Sequence, residues 1–404
     1  MKELRSYAVV TGAYWSFMLT DGALRMLVLL YFHQLGYSPV TLAFLFLFYE
    51  FFGIVTNLFG GWLAHRFGLK LTLAWGLALQ PLALIGLSFM NPEWAPAVAV
   101  PFVMAIQALS GIAKDLTKMS SKTAVKFLIP EDQSSSLFKW VAVLTGSKNA
   151  IKGAGFFAGG FLLQKLGFDV ALWTLAGIIV LALISSLFFL PGEIGAAKPK
   201  SKLKGLFEQK REIKILSAAR VFLFGARDIW FVVAIPVFLA STFGWSFTQV
   251  GSFMAFWVIG YGAVQASAPA ALKHFTKGQA PGGKSAMVMS LILTGVMSLI
   301  AVLFAQNIAP HIVIVGGLLL FGIVFALNSS VHSFLVLDYA DGEKAAVNVG
   351  FYYMANATGR LIGTLLSGLL FQWGGVLWAL VGSAVFLGLT SGITLFLPRE
   401  NQRS

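Results

Sequence analysis

Lysines and arginines sit at mid-length in apolar stretches that are otherwise long enough to cross a bilayer. Arg25, Lys114, Lys118, Lys148, Lys152, Arg220, Arg227 and Arg360 occupy such positions, with Lys122 nearer a helix end. They outnumber the carboxylates there, Asp21, Glu50, Asp115 and Asp228, by about two to one. In hydrocarbon every backbone N–H and C=O must be bonded inside the segment, so such stretches are helices. A charge facing lipid at the bilayer centre costs roughly 3 kcal/mol on insertion scales. These side chains therefore face water, one another or a ligand, and the positive excess points to a small, multiply charged anion.

With 58% of its 404 residues hydrophobic and 11% charged, the chain is too apolar for a soluble domain. A span needs about 20 residues. Hydropathy, Pro/Gly punctuation and charged connectors place twelve of them at 6–34, 39–64, 70–90, 97–126, 136–165, 169–190, 213–242, 247–272, 285–306, 311–337, 345–373 and 376–397. The longest polar connector, Pro191 to Arg211, carries Lys198, Lys200, Lys202, Lys204, Lys210 and Arg211. It divides the chain into a first bundle of six helices (1–190), a basic cytoplasmic linker (191–212) and a second bundle of six (213–404).

Connectors on one side, near His33, Glu93, Trp245 and Asn307, are almost free of Lys and Arg. The other side holds Arg66, Lys70, the central loop, Lys273, Lys277, Lys284 and Arg399. By the positive-inside rule both termini face the cytoplasm, which places the chain as a multi-pass protein of the cytoplasmic (inner) membrane. The first span is too long for a signal-peptide core and no small-residue cleavage site follows it, so it reads as a retained helix. The net charge of +13 sits in spans and short loops, which argues against a nucleic-acid-binding face.

The halves repeat at an offset of about 208 residues. Leu35-Gly36-Tyr37-Ser38 matches Phe243-Gly244-Trp245-Ser246, and Gly160 to Gln164 matches Gly368 to Gln372. At that offset Lys152 falls on Arg360 and Asn57 on Gln265, and Asp21 lies one position from Asp228. Two parallel six-helix repeats about the membrane normal, with substrate near the midplane, make the major facilitator plan: an all-α membrane protein of twelve transmembrane helices in two pseudo-symmetric bundles. The loop from Gly60 to Lys70 resembles that superfamily's cytoplasmic gating signature through Gly61, Arg66, Gly68 and Lys70. His65 stands where the family usually has Asp, and Arg66 and Lys70 read equally as a basic stop signal between helices.

Spacing gives the charges faces. Gly111, Lys114, Asp115, Lys118 and Lys122 recur every three or four residues and form one polar stripe, in which an Asp115–Lys118 pair accounts for one lysine and leaves Lys114 to be explained. Lys122 and Lys126 snorkel toward the interface. Lys148 and Lys152 lie one turn apart and repel, so an anion or a carboxylate from another helix is expected there, with Glu50 as the protein candidate. Asp21 and Arg25 are spaced to pair within one helix. Arg220 and Arg227 share a face, whereas Asp228 points roughly 100° from Arg227 and makes a poor partner for it. Arg360 has no acid nearby in its helix, and Arg227 and Arg360 are the leading ligand candidates. Guanidinium meets a tetrahedral oxyanion through a planar fork and ammonium meets it as a point charge. Lys from the first half and Arg from the second suit a molecule with an oxyanion at each end. Gln107, Tyr261, Gln265, Asn328, His332 and Asn356 read either as hydroxyl-binding groups or as links between helices. His332, Asp21, Glu50, Asp115 and Asp228 are candidates for proton coupling or charge pairing.

Four charged strings resemble the ArsJ organoarsenical efflux permeases: Leu19 to Leu27, Ala108 to Lys118, Leu144 to Gly153 and Ala219 to Trp230. The resemblance runs over nearly the whole chain. It implies export of 1-arseno-3-phosphoglycerate, made by a partner glyceraldehyde-3-phosphate dehydrogenase, with breakdown outside to arsenate and 3-phosphoglycerate. That cargo carries an oxyanion at each end and a hydroxyl between. The absence of Cys fits a pentavalent arsenate ester rather than trivalent arsenic, which would call for thiolates. A carrier of phosphoglycerate or another phosphorylated organic anion, exchanged for inorganic phosphate, is the alternative. Proton-driven drug export predicts an apolar cavity with one or two acids, against the cations found. A channel is disfavoured by the repeat and the gating-like loop. No Ser/His/Asp grouping, metal-spaced carboxylates or phosphate-cradling loop points to an enzyme, and neither cofactor nor metal is expected.

Overall fold

A computed structural model describes residues 2–128, 134–190, 209–275, 281–340 and 345–398, with the side chains of 2–4, 57–67, 122–128, 134–146, 273–275 and 345–347 outside the described set. The central basic loop and Lys122 thus lie largely outside it. Every regular element among the described residues is an α-helix: α1 (Lys2–Gln34), α2 (Pro39–Phe67), α3 (Leu69–Leu87), α4 (Pro96–Leu128), α5 (Ser134–Leu166), α6 (Phe168–Phe189), α7 (Arg211–Phe231), α8 (Ala234–Ser241), α9 (Phe247–Phe275), α10 (Gly283–Ala305), α11 (Pro310–Tyr339) and α12 (Ala345–Thr394). Ten helical stretches among the described residues are long and apolar enough to cross a bilayer, and the last, Asn348–Thr394, is 47 residues long, enough for two crossings. The molecule is a multi-pass membrane protein. Phe188, Ile312, Trp75 and Leu181 stand exposed on helix surfaces, a placement that suits lipid rather than water.

One boundary differs from the sequence reading, and another falls where that reading placed it. The seventh span is two helices, α7 and α8, because Pro236 has no N–H to give and its ring crowds the carbonyl of Val232. The N–H groups released at the joint, on Val233 and Ala234, both donate to Ser367 Oγ at 3.1 Å. The eleventh and twelfth spans are the two arms of α12, separated by non-helical Gly374 and Gly375, between the expected span ends at 373 and 376. Gly375 holds φ 65°, a conformation that side chains with a Cβ resist.

The chain forms two compact units. The first comprises Met1–Tyr37, Phe44–Lys202 and Trp245–Ile259. In it α1 packs on α4, α5 and α6, and α3 packs on α4 and α6, around Tyr14, Phe17, Leu73, Leu77 and Ile179. The second comprises Ser38–Ala43, Leu203–Gly244 and Gly260–Ser404. There α12 packs on α7 and α10, and α10 on α11, over a core that includes Ile213, Leu216, Leu335 and Tyr352.

One close approach is built twice. A Cβ on Gly155 would sit 2.2 Å from the carbonyl of Leu19 in α1, and a Cβ on Gly363 would sit 2.6 Å from the carbonyl of Gly225 in α7. Glycine lets each pair of backbones touch, and the two glycines are related by the sequence offset of the repeat.

Candidate functional site

In the first unit the charges form a ladder across α1, α2, α4 and α5. Asp21, 3% exposed, accepts a hydrogen bond from Lys152 Nζ at 2.7 Å and another from the Tyr49 hydroxyl. One turn on, Arg25 donates through Nη2 to Glu50 Oε1 at 2.5 Å, both side chains buried. Lys114 lies over the Tyr49 ring at 4.0 Å from its centroid and 3.8 Å from Asp115 Oδ2, while Lys118 Nζ meets Asp115 Oδ1 at 2.5 Å. Gly53 on α2 makes room for this corner, since a Cβ there would stand 3.2 Å from Asp115 Oδ2. Lys148 lies half-buried on α5, one turn before Lys152.

The second unit is built from α7, α9, α11 and α12. Asp228, fully buried, accepts from Arg227 Nε at 2.6 Å through Oδ1 and pairs through Oδ2 with Arg360 Nε at 3.4 Å. Arg220 is held by neutral groups: Nε donates to Asn356 Oδ1 at 2.9 Å and Nη1 to Ser329 Oγ at 3.2 Å. Its guanidinium lies over the rings of Phe224 at 3.8 Å and Tyr352 at 5.0 Å. The Tyr261 hydroxyl also reaches Ser329 Oγ at 3.2 Å, and Asn328 donates to Ser290 Oγ at 3.0 Å. His332, one turn beyond Ser329 on α11, is fully buried, and neither ring nitrogen has a hydrogen-bond partner among the described residues.

Several expected pairings are replaced. Asp21 and Arg25 do not pair along α1; each turns to a different helix, which satisfies both without crowding one turn. The carboxylate opposite Lys152 is Asp21, and Glu50 sits on Arg25. Arg227 folds back onto Asp228, its neighbour in sequence, because a flexible guanidinium arm reaches around an angular separation that backbone geometry alone makes look prohibitive. The side chain of Lys70 donates to the carbonyl of Leu190 at 2.7 Å, tying the start of α3 to the end of α6. Gly68 turns the chain between α2 and α3 at φ 81°, whereas Gly61 and Arg66 fall where side chains lie outside the described residues. Sequence reasoning missed Tyr49, whose hydroxyl and ring serve three charged partners; its adjacency to a buried Glu was the available signal.

Burial sorts the cations. The side chains of Lys118, Lys152, Arg227 and Arg360 keep 28%, 18%, 16% and 20% exposure. Arg25, Lys114 and Arg220 are buried. Among the described span-interior residues, the first unit sets five cations (Arg25, Lys114, Lys118, Lys148, Lys152) against three carboxylates (Asp21, Glu50, Asp115), and the second sets three (Arg220, Arg227, Arg360) against Asp228 alone.

The profile of the Major Facilitator Superfamily matches residues 10–234 and again 221–404, which between them cover most of the chain. This protein belongs to the major facilitator superfamily. The double match repeats, at the level of whole halves, the equivalence seen between Asp21–Lys152 and Asp228–Arg360. Solved structures with the same fold include the nucleoside transporter NupG (TM-score 0.74, 14% identity, 98% of each chain) and a D-xylose–proton symporter (TM-score 0.72, 14% identity, 99% of this chain and 98% of that one). Sequence relatives are partial. A stretch of 158 residues, 39% of this facilitator, is 28% identical to multidrug resistance protein MdtH of Photorhabdus laumondii subsp. laumondii and spans 37% of that protein. Another of 210 residues is 27% identical to a Na(+), Li(+), K(+)/H(+) antiporter of Planococcus maritimus, covering 48% of each. As a facilitator the molecule is a secondary transporter.

Proposed function

We propose that this facilitator exports an organic arsenate ester, 1-arseno-3-phosphoglycerate, from the cytoplasm by alternating access and so confers arsenate resistance. The observation that carries the reading is the excess of span-interior cations in each unit, four of them partly exposed. A buried excess charge needs a counter-charge, and a polyanionic cargo supplies it. The arsenic-specific part rests on the resemblance of four charged strings to organoarsenical permeases. In this reading Lys118, Lys148, Lys152, Arg227 and Arg360 meet cargo directly, Arg220 and Lys114 add field from behind, and Arg25 with Glu50 is a structural pair. Both termini and the basic linker face the cytoplasm of the inner membrane.

Arsenate and phosphate esters share tetrahedral geometry and charge, so the same cations suit phosphoglycerate or a related phosphorylated organic anion exchanged for inorganic phosphate. Cation cargo, named for the Planococcus relative, fits this chain poorly. Sites for hard cations are built from carboxylates, and among the described residues no three His, Asp or Glu side chains cluster.

The test is arsenate tolerance in a sensitive cell expressing this chain with and without a glyceraldehyde-3-phosphate dehydrogenase that forms the ester. Tolerance is expected only with both proteins. Equal protection without the dehydrogenase removes the ester as cargo and leaves free arsenate or a phosphate-like anion.

A further inference from the structure

We propose that Asp21 and Asp228 are resident counter-anions, each holding a cargo-binding cation from its buried side until an oxyanion of the cargo displaces it. The proposal rests on the anion-export reading and names the groups that set how tightly cargo is held. Its first support is that the arrangement is built twice. In each unit a carboxylate on the opening helix of the half, α1 or α7, meets a cation on the helix that packs closest to it, α5 or the first arm of α12. Lys152 and Arg360 are equivalent by the repeat, and both contacts depend on the glycine-mediated approaches at Gly155 and Gly363.

The second support is the division of exposure. Asp21 and Asp228 side chains are 1% and 0% exposed, whereas the cations they hold are 18% (Lys152), 16% (Arg227) and 20% (Arg360) exposed. Each carboxylate therefore grips its cation from behind and leaves the other side reachable. Asp228 divides its two oxygens between two guanidiniums, and at 3.4 Å its contact with Arg360 is loose enough to yield. Asp21 keeps the Tyr49 hydroxyl as a second donor when Lys152 turns away.

Chemistry gives these pairs a purpose. Unopposed Lys and Arg in a dry site would bind a polyanion so strongly that release outside would be slow. A competing carboxylate lowers that grip and re-forms its pair once cargo leaves, which favours turnover over affinity. Asp21 and Asp228 are thus positioning residues and do not themselves contact cargo.

The test uses the full-length protein, purified and also reconstituted in vesicles, with 3-phosphoglycerate and inorganic phosphate as probes. Asp21→Asn and Asp228→Asn are each expected to bind 3-phosphoglycerate about tenfold more tightly, a shift equal to one modest charge interaction, while maximal transport falls about tenfold. Adding Arg360→Gln to Asp228→Asn should return affinity toward wild type. Inorganic phosphate should raise the melting temperature of either Asn variant more than that of wild type, because the anion takes the carboxylate's place. Unchanged or weaker affinity in the Asn variants overturns the proposal, as does an Asn variant that phosphate cannot stabilise. A wild-type chain that ignores 3-phosphoglycerate, beside Asn variants that gain phosphate-dependent stability, keeps the counter-anion role and discards the cargo.

Discussion

Asp228 shows how much a single residue decides. Its two oxygens serve Arg227 and Arg360, both of which stay partly exposed, and in the proposed reading each guanidinium offers a planar fork to a tetrahedral anion. Arg227→Lys and Arg360→Lys preserve charge but lose that fork. Each is expected to lower export about tenfold or more with membrane abundance unchanged, measured as arsenate tolerance beside immunoblot signal; full tolerance with Arg360→Lys would remove it from the ligand set. Tyr49→Phe should lower both abundance and export, since it deletes one donor to Asp21 while keeping the ring that Lys114 covers. At this scale the charged positions were legible, because a Lys at mid-span is conspicuous against hydrocarbon. Their partners were not. Helical spacing says which residues share a face, but Arg25 turned to Glu50 rather than Asp21, and Arg227 found the neighbour that a helical wheel placed elsewhere.

Among the elements, glycine sets which helices touch. Gly155→Ala and Gly363→Ala each place a Cβ against backbone, at 2.2 Å from Leu19 O and 2.6 Å from Gly225 O, where no side chain can give way. The helices must part, at a cost of about 1–3 kcal/mol. Less monodisperse protein in detergent and a lower melting temperature are expected for both; wild-type behaviour of both would show that the helix pairs are looser than described. Twelve spans could be read from the sequence because length and hydropathy report bilayer thickness directly. The joint between α7 and α8 was not, although Pro236 marks it. A proline in a membrane helix is tolerated when a neighbour fills the vacant bonds, and the neighbour here is Ser367, 131 positions further on.

Across the whole molecule the repeat was legible as an offset, and it returns as equivalent contacts in separate units. The proposed cargo rests on charge alone, since phosphate and arsenate esters share the geometry and charge that Lys and Arg side chains meet. The uneven count of cations and carboxylates has an electrical consequence. In the proposed anion-export reading, cargo that offsets the cation excess makes the loaded carrier nearly uncharged, so the form that feels the membrane voltage is the emptied one on its way back. An inside-negative voltage pulls that positive body toward the cytoplasmic side with about 2.3 kcal/mol per charge for about every 100 mV. Export from vesicles loaded with 3-phosphoglycerate should therefore quicken several-fold under an inside-negative potassium diffusion potential. Equal rates with and without the potential would mean that another ion crosses to balance the return. A rate that does quicken would mean that the proposed export needs no separate fuel in a resting cell, whose own voltage resets the carrier after each delivery.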